Sequence, residues 1–212
     1  MDSPYNFIVV EGNIGAGKTT LATRMANDCN ARLILEQFAD NPFLPKFYEN
    51  REKYAFPLEM SFLAERFQQL KTELSRHDLF QPRIISDYYF LKSLIFAKAN
   101  LNEAEYDLYT RLFHIINDSL PKPDLFVYLY HDIDRLLRHI KKRGRSYEQN
   151  IGAAYLEEIQ RSYFDFLKQL SDQRILIIDV NHFDFAQNEE HYSHISGIIN
   201  KPYNAGITRV TL

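Results

Sequence analysis

Short apolar runs alternate with longer stretches of helical periodicity along the chain. Five runs read as strands: Phe7–Glu11, Arg32–Leu35, Arg83–Ser86, Leu125–Leu129 and Ile175–Val180. The first, fourth and fifth are apolar almost throughout, the pattern of strands covered on both faces of a parallel sheet. Between them, the spacing predicts helices near Thr20–Asn27, Pro57–Ser75, Leu91–Ala99, Glu103–Ser119, Ile133–Lys142 and Ala153–Leu170. Pro121-Lys122-Pro123-Asp124 stops one helix and leads into the fourth strand, because proline lacks the amide donor that a helix interior needs. Strands alternating with helices predict a three-layer α/β fold with right-handed crossovers. The final stretch, Lys201–Leu212, is read as an extra strand, a dimer contact or a frayed tail.

In such sheets ligands gather at the carboxyl ends of the strands. That rule directs attention to Glu36, Asp87 and the loop Asp179–Phe185. It also directs attention to Gly12-Asn13-Ile14-Gly15-Ala16-Gly17-Lys18-Thr19, directly after the first strand, which matches the phosphate-binding pattern G-x-x-x-x-G-K-[ST]. Glycines let successive N–H groups turn inward around an anion, and the following helix, beginning near Thr20, adds its positive end. Lys18 would reach the outer phosphates and the Thr19 hydroxyl would hold Mg²⁺. The expected ligand is a nucleoside triphosphate.

Composition narrows the setting. A length of 212 residues suits one domain, 1–212, with a small lid, and no apolar run approaches a membrane span. The start, Met1-Asp2-Ser3-Pro4-Tyr5, lacks the basic and apolar regions of a signal peptide, and the lone Cys29 excludes an internal disulfide framework. The net charge of −3 offers no general attraction to nucleic acid or to anionic membranes, so the expectation is a cytoplasmic protein with neither partner.

Phosphoryl transfer needs charge neutralisation and a base beside the attacking hydroxyl. Glu36, directly after the second strand, is the candidate base. Asp87, ending the third, reads either as a Mg²⁺ ligand or as a helix N-cap. The densest positive cluster, Arg135, Arg138, Lys141, Lys142, Arg143 and Arg145, contains Gly144 and is followed by Glu148, Glu157 and Glu158. We read it as a cationic lid over 138–150 that closes on a triphosphate rather than as a nucleic-acid surface.

With these motifs in place the chain resembles the deoxynucleoside kinase family, in its bacterial deoxyadenosine/deoxyguanosine kinase branch. The resemblance runs from about residue 6 to residue 200. It is carried by the glycine-rich loop, Glu36, Asn41-Pro42-Phe43-Leu44, Tyr48, Phe56-Pro57-Leu58-Glu59, Asp87, Leu120-Pro121-Lys122-Pro123-Asp124-Leu125, Arg143-Gly144-Arg145 with Glu148-Gln149, and Asp179-Val180-Asn181. It implies a P-loop kinase fold of class α/β with a five-stranded parallel sheet and a helical lid. It also implies ATP as phosphate donor, Mg²⁺, a deoxynucleoside acceptor and a homodimer, with Leu94–Phe96 and Tyr106–Phe113 as candidate contact helices. Glu36 then matches the base for the 5′-hydroxyl. Tyr48 and Glu148 match a pair that grips the 3′-hydroxyl. Arg143 and Arg145 match the phosphate-binding lid arginines, Arg66 matches a base-side arginine, and the loop after Asp179 holds the donor adenine.

Two departures stand out. Many family members carry an arginine immediately after the third-strand acidic residue, but here the text is Asp87-Tyr88-Tyr89-Phe90. Lys92, about one helical turn on, is the candidate replacement. Where many relatives place a glutamine against the base, this chain has Glu59. An ionised carboxylate only accepts hydrogen bonds, which favours adenine, cytosine or guanine edges over thymine. Arg66 lies within helical reach and either neutralises Glu59 or leaves it free. The leading expectation is 5′-phosphorylation of a deoxynucleoside, deoxyadenosine first, with deoxyguanosine and deoxycytidine as alternatives. A nucleoside monophosphate kinase using Arg51 and Lys53 is the runner-up. A regulatory GTP switch is disfavoured because Asn200-Lys201-Pro202-Tyr203 lacks the aspartate of the guanine motif.

Overall fold

The computed structural model describes residues 3–37, 41–76 and 80–212; Met1 and Asp2 of the N-terminal segment read above lie outside them. The strands β1 (Phe7–Gly12), β2 (Arg32–Ile34), β3 (Ile84–Ser86), β4 (Leu125–Tyr130), β5 (Arg174–Asp179) and β6 (Gly206–Thr211) form one sheet. All pairings are parallel, in the order β2-β3-β1-β4-β5-β6. β1 is buried along its whole length, as its unbroken apolar run implies. The registers Phe7↔Ile84 and Arg32↔Ile84 bring the ends of β1, β2 and β3 level, so the residues that follow each strand meet above the sheet. Asp124 fixes the other end of β1 by accepting from the amides of Asn6 and Phe7 at 2.8 and 2.9 Å.

The sheet has six strands where the apolar pattern predicts five. β6 extends β5 through Ile175↔Ile207 to Asp179↔Thr211 and alternates half-buried with exposed residues. A half-covered edge strand shows period-two alternation rather than an apolar run, so it escapes a search for buried strands.

The helices are α1 (Lys18–Asp28), α2 (Leu44–Glu49), α3 (Arg51–Ser75), α4 (Leu91–Asn100), α5 (Glu103–Asn117), α6 (Ile133–Arg143), α7 (Ala153–Leu167) and α8 (Glu189–Ile199). α3 begins at Arg51 rather than at Pro57. Asn50 caps it by accepting from the Lys53 amide at 3.1 Å, and Pro57 falls inside the helix. The short α2, with a proline in its first turn, has too few residues for periodicity to show. α8 is capped by Asn188. In the expected contact helices Leu94, Ile95, Tyr109 and Phe113 are buried within the chain, while Leu108 is exposed.

α4 lies at the centre of the helical layer, packed against α3, α5 and α7. At its start Phe90 stacks on Phe113 of α5, with ring centroids 4.9 Å apart and planes 9° from parallel. Both rings are fully buried. Phe113→Ala is expected to lower the unfolding free energy by about 3–5 kcal/mol in chemical denaturation, the range for removing a buried aromatic ring.

Candidate active site

The loop between β1 and α1 is held open by backbone geometry that side chains resist. Gly15 and Gly17 have φ of +83° and +84°, and a Cβ at Gly17 would stand 2.8 Å from the Phe185 ring. Asn13 anchors the loop to α7: its Nδ2 donates to the Leu156 carbonyl, and its Oδ1 accepts from the Ile14 amide, both at 2.8 Å. Gly12 ends β1, and Ala16 is buried beneath the turn. Lys18 Nζ donates to the Asn13 carbonyl at 2.9 Å. Burial and the nearby Lys92 charge lower the Lys18 pKa to about 8.

Ile14, Gly15, Lys18, Thr19, Glu36, Tyr48, Glu59, Arg66, Asp87, Arg143, Arg145 and Glu148 line one cavity. A second cavity, of about 510 Å³, shares Gly15, Lys18, Thr19, Arg143 and Arg145 with the first. It adds Ala16, Gly17, Thr20 and the segment Phe183–Gln187 beyond β5. Two cavities meeting over a phosphate-binding loop are the arrangement a two-substrate transfer requires.

At the seam lies a chain of charge-assisted hydrogen bonds. Thr19 Oγ1 donates to Asp87 Oδ2, and Asp87 Oδ1 accepts from the Glu36 amide at 2.8 Å. The Glu36 carboxylate is clasped from both sides. Arg66 approaches Oε1 through Nε at 2.9 Å and its terminal nitrogen at 2.8 Å, while Lys92 Nζ lies 2.5 Å from Oε2. Burial would raise the Glu36 pKa, but Lys92 and Arg66 outweigh it and hold it near about 2. Arg66 is fixed in turn by donating to Ser93 Oγ at 2.9 Å. Arg66 therefore serves Glu36 and does not form the ion pair with Glu59 that its spacing allowed.

Residues 138–150, the expected lid, span the last turns of α6, Gly144 at φ +75° and a single 3₁₀ turn. There Arg143 and Arg145 both bond to the buried Glu148, Arg145 at 3.2 Å. Tyr48 packs on Tyr147 with ring centroids 6.1 Å apart. Burial, with nearby Tyr155 and Glu148, keeps its hydroxyl protonated. Arg135 donates to the carbonyls of Asn181 and Phe183, joining α6 to the loop after β5. Arg51, weighed above for an acceptor phosphate, is engaged by the Ala99 carbonyl and Asn100 and lies 4.3 Å over the Tyr155 ring.

Two residues that join distant elements, Asn100 in the first cavity and Glu11 in β1, have no local signature. Asn100 Nδ2 donates to Glu59 Oε1 at 2.6 Å across 41 positions. Glu11, within β1, accepts from the Tyr89 amide at 2.9 Å and the Tyr163 hydroxyl at 2.8 Å. Its burial raises its pKa.

A family profile described as deoxynucleoside kinase matches residues 8–202. The chain belongs to the deoxynucleoside kinase family. It is 38% identical over 195 residues to the deoxyguanosine kinase of Bacillus subtilis (strain 168), covering 90% of this chain and 94% of that one. It is 31% identical to the deoxyadenosine/deoxycytidine kinase of the same organism, with 91% of each chain covered. The solved deoxyadenosine kinase from M. mycoides with bound dATP superposes with a TM-score of 0.79 at 26% identity, over 92% of this chain and all of that one. The kinase is a nucleotide-binding phosphotransferase with a hydroxyl acceptor. Among its described residues, no helix is long and apolar enough to cross a membrane.

With no arginine after Asp87, Lys92 is the cation on α4 that reaches Glu36. Lys92→Met is expected to lower kcat about 10²-fold, in the range for losing one preorganised charge at a reaction centre. Steady-state phosphorylation assays at saturating ATP and acceptor check this.

Proposed function

We propose that this kinase transfers the γ-phosphoryl group of ATP to the 5′-hydroxyl of a purine deoxynucleoside, releasing the monophosphate and ADP. The observation that carries this reading is the link from Thr19, which lines both cavities, through Asp87 to Glu36, which lines the first. The second cavity, with the loop backbone and Phe183–Gln187, suits the ATP donor. The lining of the first includes Leu58, Phe62, Phe96 and Tyr155, apolar and aromatic surfaces suited to a planar base. Identity to both a deoxyguanosine kinase and a deoxyadenosine/deoxycytidine kinase adds support for a purine acceptor.

Glu36 acts as the base for the 5′-hydroxyl. With both oxygens engaged it is a weak one, so one cation has to leave before it accepts a proton. Arg66 holds Oε1 with two donors and is itself tied to Ser93, whereas Lys92 makes a single contact on a flexible stem. Arriving phosphate offers Lys92 a competing anion, which frees Oε2 for the hydroxyl. Lys18, Arg143 and Arg145 neutralise the remaining phosphate charge. Tyr48 and Glu148 hold the sugar 3′-hydroxyl as donor and acceptor.

Thr19 Oγ1 and Asp87 Oδ2 are adjacent hard oxygen donors beside the loop, a set that fits Mg²⁺. Among the described residues no group of three or more His, Cys, Asp or Glu could hold a metal by itself. That also suits an ion held chiefly by phosphate and water. When bound, Mg²⁺ neutralises the β- and γ-phosphate oxygens. A homodimer belongs to the same reading. Its support here is the exposed pair Leu108 and Ile115, two turns apart on α5.

Glu36→Gln is expected to reduce kcat by about 10²–10⁴-fold with intact ATP binding. A panel of the four deoxynucleosides and deoxyadenosine monophosphate, each with ATP and Mg²⁺, tests the acceptor. The purine nucleosides should be consumed first, and preferential turnover of the monophosphate or of thymidine contradicts the proposal.

A further inference from the structure

The far end of the acceptor cavity holds a carboxyl group whose two oxygens have unequal surroundings. Glu59 is 1% exposed. Its Oε1 accepts from Asn100 Nδ2 at 2.6 Å, whereas its Oε2 is buried with no hydrogen-bond partner. The orientation of the Asn100 amide is fixed from behind. Arg51 donates to Asn100 Oδ1 at 3.1 Å, and a guanidinium can only donate, so the amide nitrogen must face Glu59. Oε1 is therefore an acceptor in every protonation state, and any proton on the group resides on Oε2.

A buried polar oxygen without a partner in a ligand cavity marks a place for a ligand group. The two purines differ there in sign. Guanine carries N1–H, a donor, and adenine presents N1 as an acceptor. Resting on the acceptor reading above, we propose that Glu59 Oε2 reads the purine N1 position by its own protonation. As a carboxylate it accepts from N1–H of guanine, and as a carboxylic acid it donates to N1 of adenine. One side chain then serves both nucleosides, with pH setting the balance between them.

The electrostatic surroundings make both forms accessible. Burial raises the Glu59 pKa to about 7, opposed by Arg66 on the same helix and by the Asn100 hydrogen bond. Glu36 beyond β2 raises it further, and Lys92 on α4 lowers it. From α5, the Tyr109 hydroxyl donates to the Glu59 backbone carbonyl at 3.3 Å, and from α7 the Tyr155 phenol stands near the carboxyl. Both phenols are held neutral by burial. Ionised Glu59 thus predominates at higher pH and selects guanine, while the protonated form predominates at lower pH and selects adenine.

The test is a competition. Equal deoxyadenosine and deoxyguanosine are mixed with ATP, Mg²⁺ and the kinase from about pH 6 to about pH 8, and both monophosphates are followed at early times. The product ratio equals the ratio of kcat/KM values, so effects of pH on ATP binding, lid closure and Glu36 cancel. The deoxyguanosine-to-deoxyadenosine ratio should rise about tenfold per pH unit, the slope for a single proton difference. Deoxyinosine, which has N1–H but no 2-amino group, should follow deoxyguanosine in its own competition against deoxyadenosine. Glu59→Gln should flatten the slope and favour deoxyadenosine throughout, because its amide oxygen faces Asn100 and its NH₂ faces N1. A wild-type ratio that does not move with pH overturns the proposal, and so does a folded Glu59→Gln variant that keeps the wild-type slope. If that variant does not fold, the wild-type slope and the deoxyinosine competition decide the matter alone. Failure of both purines to react at any pH would overturn the acceptor reading itself.

Discussion

The Glu36 carboxylate, buried between a guanidinium and an ammonium, fixes the rest of the site. Moving ions out of water costs several kcal/mol each unless their lone pairs and protons are filled by good partners. Here they are filled from separate parts of the chain. Glu36 follows β2, Arg66 comes from α3, Lys92 from α4, Asp87 from the end of β3, and Thr19 from the first turn of α1. Removing one member leaves another buried and uncompensated, so these elements hold a common geometry. The sheet order follows the same requirement. Only with β2 beside β3, Ile34 level with Ser86, do Glu36 and Asp87 emerge within one hydrogen bond of each other.

Beside this cluster, Lys18, Arg143 and Arg145 line both cavities. Lys18 is paired with a carbonyl rather than a carboxylate, and its lowered pKa reflects burial and the charge of Lys92. Arg143 and Arg145 share one carboxylate, Glu148. The net charge of −3 leaves nucleic acid without a general attraction.

Much of this was legible along the chain, and what was not has a physical reason. The glycine-rich loop announces itself because its chemistry depends on residues a few positions apart. Glu36 and Asp87 are found by one rule, that ligands meet the carboxyl ends of parallel strands. Asn100 and Glu11 have no such rule. Their partners lie 41 to 152 positions away, and neither is set off from its helical or strand context. The Arg66–Glu59 pairing suggested by helical spacing fails because a closer carboxylate, Glu36, enters from another element with a two-donor geometry. β6 is the extra strand among the three readings of Lys201–Leu212, left open because an edge strand lacks a continuous apolar run, and the start of α3 was misjudged because Pro57 marks a helix start only where no better cap precedes it. Asn50 is that cap.

The absence of arginine at position 88 shows how charge at a reaction centre is specified. Tyr88 is fully buried, its hydroxyl donates to Gln69 at 2.7 Å, and its carbonyl accepts from Ser86 at 2.6 Å. It ties the turn after β3 to α3 and would be a costly place for a cation with no carboxylate of its own. In the first turn of α4, Lys92 is buried, its ammonium 5.4 Å from the centre of the Phe96 ring and bonded to Glu36. Packing and charge, which a single arginine would have to combine, are divided between two residues. What the chemistry constrains is therefore the position of the positive charge in space rather than its position along the chain. In the proposed mechanism, a point charge in place of a fork-shaped guanidinium loosens the clasp on the side of Glu36 from which the hydroxyl arrives.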